Sequence, residues 1–479
     1  MTIRRPLDAR APGRGPAPSP ALLIAVLSIT GITAALMQTI IIPLVPTLPE
    51  ILDTSVTDAA WPVTAALLAG AVTTPIAGRL GDMYGKRRIL MASLAALLAG
   101  SVLCALSNTV VPMTVGRALQ GAAMGVIALG ISIMRDELPE DRVGTGIAVM
   151  SATLGVGGAI GMPVAAAVAQ HADWHMIFWA SAVIAAAALV LVRTTVPESD
   201  LRSGGPFDAV GALGLAAGLT TGLLAITKGN DWGWTAPATL GSAAASLAVF
   251  TVWSWYQLRV PRPLVDLRVS ARRQVLFTNL ASIAVGFAMF GMALLPPQIL
   301  MAPTDTDYGL GLTMLQAGLL IAPGGLVMFA CSPLSARITA AHGPRTTMLI
   351  GTAVIGVGYL VVLAVPISAP QIVAANIIVS GGIGIAYAAM PALIIAAVPQ
   401  SETAAANGLN ALMRAVGTST SSAVVAAVLA ATTVTVAGPG AEVLTVPAQS
   451  GFLLAAGISL AATVVAGALT LLVPPPTKV

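Results

Sequence analysis

Five ionisable side chains crowd into the eleven residues Gly78-Arg79-Leu80-Gly81-Asp82-Met83-Tyr84-Gly85-Lys86-Arg87-Arg88, between two long apolar runs. Four of the five are cations, three of them in a row, which puts the stretch on the cytoplasmic side of a membrane. Charge is costly in hydrocarbon, so the stretch reads as a tight turn at a membrane surface, with Gly78 and Gly85 letting backbone bend and approach. Two more guanidiniums lie inside apolar runs, at Arg117 and Arg414. At that depth an arginine must face protein or a wet cavity. Asn407, Asn410, Arg414, Gly417 and Ser421 recur every three or four residues, one polar face on an apolar helix. Such a face lines a watery pathway or a hydrogen-bonded seam, and a pathway is the reading adopted. Gln38, Gln120, Asn279, Asn376 and Tyr387 are further mid-depth polar positions for the same cavity.

Other chemistries find no support. None of the 19 acids falls near the middle of an apolar run, and His171, His175 and His342 sit in loops. His171 and His175, with Asp173 between them, have a metal-binding spacing on a helix, but they read as a surface turn. Cys104 and Cys331 lie in apolar runs and make neither a disulfide framework nor a metal site. No glycine-rich phosphate loop with its lysine occurs, which disfavours ATP-driven transport. The reading is therefore not an enzyme, with no cofactor and no metal.

Composition places these residues in a membrane. The chain is 57% hydrophobic and 9% charged, with a mean hydropathy of +0.91. Soluble domains carry about 25% charged residues. The net charge of +4 is spread over alternate loops rather than gathered in one patch, so nucleic acid is not the expected partner. Runs of roughly 20 apolar residues span a bilayer. Counting them predicts an all-α integral membrane protein with fourteen transmembrane helices. Apart from Arg117, Arg414 and Lys228, the lysines and arginines fall in loops of one face, so that face and both termini are expected to be cytoplasmic. We call it the basic face below. The expected location is the plasma (inner) membrane, multi-pass. Residues 1–20 read as a disordered basic tail, 21–193 and 275–473 as two six-helix bundles, 194–274 as an inserted two-helix linker and 474–479 as a second tail. The basic segment Arg259 to Arg273 suits contact with anionic lipid.

The Gly78–Arg88 stretch resembles the glycine-x-leucine-x-aspartate-x-x-glycine-basic-basic signature of the major facilitator superfamily, in the loop between its second and third helices. Ser332 to Arg345 looks like an eroded copy, with a glycine-x-basic corner but no aspartate. Phe207-Asp208, Gly211, Trp232-Gly233-Trp234 and Leu315 to Leu319 with Pro323 are similar to the fourteen-helix drug:proton antiporters. The resemblance implies the major facilitator fold and makes Asp82 a latch between bundles, with Gly78, Gly85 and Arg88 as its motif. Its partner is expected near Ser401 to Thr403, at the start of helix 13, or at Arg142. Arg117-Ala118-Leu119-Gln120-Gly121 resembles an arginine-x-x-glutamine-glycine motif that implies proton coupling. Gly121, Gly125, Gly157, Gly161 and Pro163 are expected to pack helices closely. Pro197-Glu198-Ser199 echoes a sugar-porter signature, too briefly to count.

The family's helix-1 aspartate is missing: Leu36 to Pro43 holds no acid. A chamber defined by Arg117 and Arg414 is positive. The expected function is therefore export of neutral, zwitterionic or anionic amphiphiles by alternating access, with protons as the coupling ion and the monomer as the working unit. An uncoupled facilitator or uptake permease on the same fold is the alternative.

Overall fold

The computed structural model describes residues 19–45, 47–199, 202–437 and 443–475. Positions 1–18 of the expected basic tail and 476–479 of the terminal one lie outside them. The first group of long helices is α1 (Pro20–Thr39), α2 (Trp61–Tyr84), α3 (Lys86–Ala105), α4 (Val110–Glu137), α5 (Glu140–His171) and α6 (His175–Thr195). A pair follows, α7 (Ala209–Trp232) and α8 (Pro237–Gln257). The last group is α9 (Arg273–Met301), α10 (Met314–Ala330), α11 (Ser332–Ala364), α12 (Ala369–Ile395), α13 (Thr403–Ala431) and α14 (Gln449–Leu471).

Local chemistry sets several of the ends. Ser19 caps α1 by accepting the Leu22 amide, with Pro20 in the first turn. Thr313 and Gln316 form a reciprocal capping box on α10. Thirteen helical stretches among the described residues are long and apolar enough to cross a membrane, rather than the fourteen expected. The difference lies in Met314–Ala364, a 51-residue run. One crossing takes about 20 residues. The run breaks its helical backbone at Gly343 (φ 82, ψ 160), just before Pro344, which has no N–H to donate. Gly85 breaks the backbone likewise between α2 and α3, at φ 114 and ψ 126. Both conformations suit glycine alone.

The Gly78–Arg88 stretch turns at Gly85 alone, between the last residue of α2 and the first of α3. It is helical except at Gly85, and Asp82 and Lys86 are both 0% exposed. Asp82 and Lys86 are enclosed in protein, while Arg88 stays exposed.

Apolar side chains form three clusters. One gathers α1 to α6 around residues such as Leu27, Leu94, Leu129 and Phe178; a second gathers α9 to α14 around Met348, Tyr359, Ala389 and Phe452. The third joins Leu215, Leu219 and Trp253 of the α7–α8 pair to Ala71 of α2 and Leu412 of α13. The pair therefore packs on the seam between the two larger groups.

Close helix contacts rest on missing side chains. A Cβ on Gly121 would stand 2.1 Å from the Ala66 carbonyl oxygen, and one on Gly161 2.1 Å from Thr39 Oγ1. Gly157 meets Ala35 and Gly125 meets Ala77, while Pro163 lies across from Gly318. Between α13 and α14 the chain makes an antiparallel hairpin, β1 (Thr433–Ala437) with β2 (Val443–Pro447). Its β-branched Thr-Val-Thr-Val run favours an extended backbone.

Candidate functional site

The first site lies at the basic face, where the two helix groups meet. Asp82, near the end of α2, accepts the amides of Ala404 at 3.2 Å and Ala405 at 2.8 Å, in the first turn of α13. Four orphan amides and the positive dipole end favour an anion there. Gly78 permits the approach, because a Cβ on it would fall 2.3 Å from the Ala404 carbonyl oxygen. The aspartate's neighbour is Lys86, whose ammonium stands 3.6 Å from Asp82 and 2.6 Å from Asp136 of α4. Lys86 also donates to Thr403 Oγ1 at 3.2 Å, so one cation touches α2, α4 and α13 together. Arg135 adds a second cross-seam bond, to the Ile395 carbonyl at 2.9 Å.

Residues after α6 complete this cluster, and the sequence reading missed them. Ser199 donates to Asp136 at 2.6 Å. Glu198 accepts the Arg87 amide at 3.2 Å and stands 3.7 Å from the mostly exposed Arg88. The Ser203 amide donates to the Asp82 carbonyl at 2.7 Å. The discarded Pro197-Glu198-Ser199 echo was the available signal. Arg142 is not part of the cluster. It is exposed and stands 3.5 Å from Asp141, so of the two partners offered for Asp82 only the start of α13 is in contact.

The second constellation is the polar face of α13. Asn410 donates to Asn279 at 2.9 Å and to Ser282 at 2.8 Å, both on α9. Arg414 donates to Asn410 and lies 4.5 Å over the Tyr387 ring of α12, a cation–π contact. It is 6% exposed, has no ion-pair partner among the described residues, and its Nε is without a hydrogen bond. Asn407 reaches the other group, donating to Ser132 of α4 at 3.4 Å, with its own Oδ1 unbonded. Asn376 is buried against Gly324 of α10, its Oδ1 also without a partner. Gln38 on α1 is half-buried.

Arg117 departs from its expected place in a shared chamber. It is 3% exposed and donates to the Met37 carbonyl at 2.8 Å and to Gln120 at 2.6 Å. Gln120 in turn donates to Ser101 at 2.9 Å. These bonds staple α4 to α1 and α3, and none connects Arg117 with Arg414. Backbone carbonyls are the acceptors that an apolar bundle always supplies, which is why the guanidinium turns to them.

The histidine turn holds no metal-like group: no set of three or more His, Cys, Asp or Glu side chains is clustered among the described residues. His175 bonds Asp173 through its amide (2.9 Å) and Nδ1 (2.5 Å), which holds that carboxyl below its ordinary range.

The family model described as Major Facilitator Superfamily matches residues 27–422 and 280–479. An uncharacterized MFS-type transporter of Mycobacterium tuberculosis (strain ATCC 25618 / H37Rv), Rv1877, is 30% identical over 61% of this chain and 43% of its own length. The Multidrug resistance protein B homolog of the same organism is 29% identical over 62% of this chain and 55% of its own length. The chain thus spans about half the length of these relatives. Multidrug resistance protein Stp of that organism is 26% identical, over 78% and 68%. Among solved structures, the human organic anion transporter MFSD10 (TETRAN) superposes with a TM-score of 0.66 at 16% identity, covering 94% of this chain and all of that one. The proton:xylose symporter XylE bound to 6-bromo-6-deoxy-D-glucose gives 0.65 at 13%, over 93% and 94%. These likenesses are of fold.

Proposed function

This chain belongs to the Major Facilitator Superfamily, and we propose that it is a secondary exporter of drug-like or lipid-like amphiphiles, with neutral, zwitterionic or anionic cargo favoured. It is an all-α, multi-pass membrane transporter of small molecules and not an enzyme. In the proposed cycle two six-helix bundles, 21–193 and 275–473, rock about a central site, with α7 and α8 inserted between them and fourteen crossings once Met314–Ala364 is divided at Gly343. Both termini lie in the cytoplasm, the membrane is the inner one, the monomer is the working unit, and protons are the counter-ion.

The observation that carries the cargo class is Arg414: a guanidinium 6% exposed, on the polar face of α13, with no carboxylate paired to it among the described residues. A buried cation without a counter-ion disfavours a second cation and favours an anion or a strong dipole. The names of the multidrug-resistance relatives and of the organic anion transporter agree in kind. Alternating access is supported by the Asp82 latch, which joins the halves at the basic face. For coupling, the candidate carboxylates are at the edges, Asp82 and Asp136 on that face and Asp58 on the other.

The test is transport by purified protein in liposomes, with anionic, zwitterionic, neutral and cationic amphiphiles and proton gradients of either sign. Uptake of ethidium-like cations alone would defeat the cargo assignment. Flux that ignores collapse of the gradient would replace antiport by facilitation.

A further inference from the structure

At the basic face, the segment joining α8 to α9 roofs a cavity of about 140 Å³ whose floor is the α2–α13 seam. Its wall divides by chemistry. Leu264, Val275 and Leu409 supply apolar surface, while Arg79, Arg262, Asp266 and Glu402 supply charge. Arg79 is the unusual member. It is 8% exposed, its one hydrogen bond among the described residues is a long one to Ser203 Oγ at 3.4 Å, and it enters no ion pair there. Lys86, seven residues on and fully enclosed, stands within reach of two carboxylates. A guanidinium withdrawn from water without a counter-ion is costly, so the pocket as it stands lacks a partner for Arg79. Glu402 lines the same space without pairing with it, and Asp266 spends one oxygen on the amides of Arg268 and Val269.

We propose that this cavity binds the phosphate of an anionic phospholipid from the leaflet on the basic face. Arg79 holds it from within and Arg262 from the rim, since a guanidinium fork matches phosphate oxygens. A lipid suits the site better than a free anion because charge and apolar wall share one small cavity. The roof also carries Arg259, Arg268, Arg272 and Arg273, which draw it toward an anionic surface. The consequence reaches the latch. Ala405, which donates to Asp82, is itself part of the cavity wall. A headgroup seated there touches α2 and α13 at once, and its site exists only while those helices are together.

The experiment uses the full chain in nanodiscs of phosphatidylcholine with phosphatidylglycerol, reading retained lipid by native mass spectrometry. Wild type should keep one phosphatidylglycerol, and Arg79→Gln should hold it about tenfold or more weakly, the scale of one charge-assisted bond. Arg262→Gln, at an exposed position, should weaken it several-fold, while Arg273→Gln should not. Equal retention by wild type and both cavity variants overturns the site. Equal loss in Arg273→Gln does too, because it signals diffuse attraction. If inorganic phosphate binds in pure phosphatidylcholine discs with the same Arg79 dependence and phosphatidylglycerol does not displace it, the ligand is a free anion and the lipid assignment falls.

Discussion

Ala405 donates its amide to the Asp82 carboxylate at 2.8 Å across 323 positions of sequence, joining the two halves of the molecule through one side chain and one helix end. The Ala404 amide adds a second bond at 3.2 Å. Both are charge-assisted, and hydrogen bonds to charged groups are worth about 1.5–3 kcal/mol. Asp82→Asn keeps the shape and loses the charge. It should shift the balance toward the unlatched form by about tenfold or more. Distances between spin labels on the basic ends of α2 and α13 should lengthen, and transport should slow while melting of the purified protein changes little. Unaltered distances and flux would remove Asp82 from the gate.

Lys86 makes a sharper case, because removing it strands two acids. Asp82 and Asp136 are 0% and 1% exposed at their side chains, and Lys86 is the cation between them. Breaking a buried pair from one side costs about 3–5 kcal/mol. Lys86→Met should therefore lower thermal stability strongly, and Lys86→Met with Asp136→Asn should recover much of the loss. Additive losses in the double variant would show that the two groups act independently.

How much of this was readable beforehand depends on whether a residue's partner is near in sequence. The repeat was readable as a glycine two residues before an arginine, and the structure gives that spacing a physical sense. Arg87 donates to the Arg193 carbonyl at the end of α6, while Arg345 donates to the Leu471 carbonyl at 2.7 Å, at the end of α14. Each basic corner thus caps the last helix of its own half. The second copy has Ala340 where the first has Asp82, so it keeps the turn and lacks the charge cluster. Which groups Arg117 would bond was not readable, because a buried arginine satisfied by carbonyls has the same spacing as one lining water. Glu198 and Ser199 were missed for a related reason: their partners, Arg87 and Asp136, lie 111 and 63 positions away.

Glycine substitutions on α5 and α10 should separate packing from propensity. A Cβ on Gly325 of α10 would lie 2.2 Å from the Gly155 carbonyl oxygen of α5, a backbone atom that cannot step aside. Gly158, three residues along α5, has nothing within 4 Å of its added Cβ. Gly325→Ala should destabilise by about 1–3 kcal/mol through overpacking. Gly158→Ala should be neutral or stabilise by up to about 1 kcal/mol through helix propensity. Thermal melts in detergent compare the two, and equal shifts would show that the α5–α10 contact is looser than drawn.

Arg414 and Arg117 are both guanidiniums at membrane depth, and their surroundings assign them different work. Arg117 spends its charge on the Met37 carbonyl and Gln120, tying helices together. The Nε of each is unbonded, but Arg414 stacks on Tyr387 and bonds Asn410, on the face that also carries Asn407, and takes no backbone carbonyl among the described residues. If that face recognises cargo, charge and planarity matter separately there. Arg414→Gln should cut transport of anionic amphiphiles about tenfold while neutral ones fall less, as expected for loss of a charge-assisted bond. Arg414→Lys retains the charge and loses the planar stack and fork, so it should recover part of the anionic flux only. Tyr387→Leu should weaken anionic cargo modestly, since a cation–π contact of this kind is worth about 0.5–2 kcal/mol and chiefly positions the arginine. The decisive quantity is the ratio of anionic to neutral transport at matched protein levels. A ratio left constant by all three substitutions would make Arg414 a second staple like Arg117, and the source of cargo preference would have to lie elsewhere on the seam.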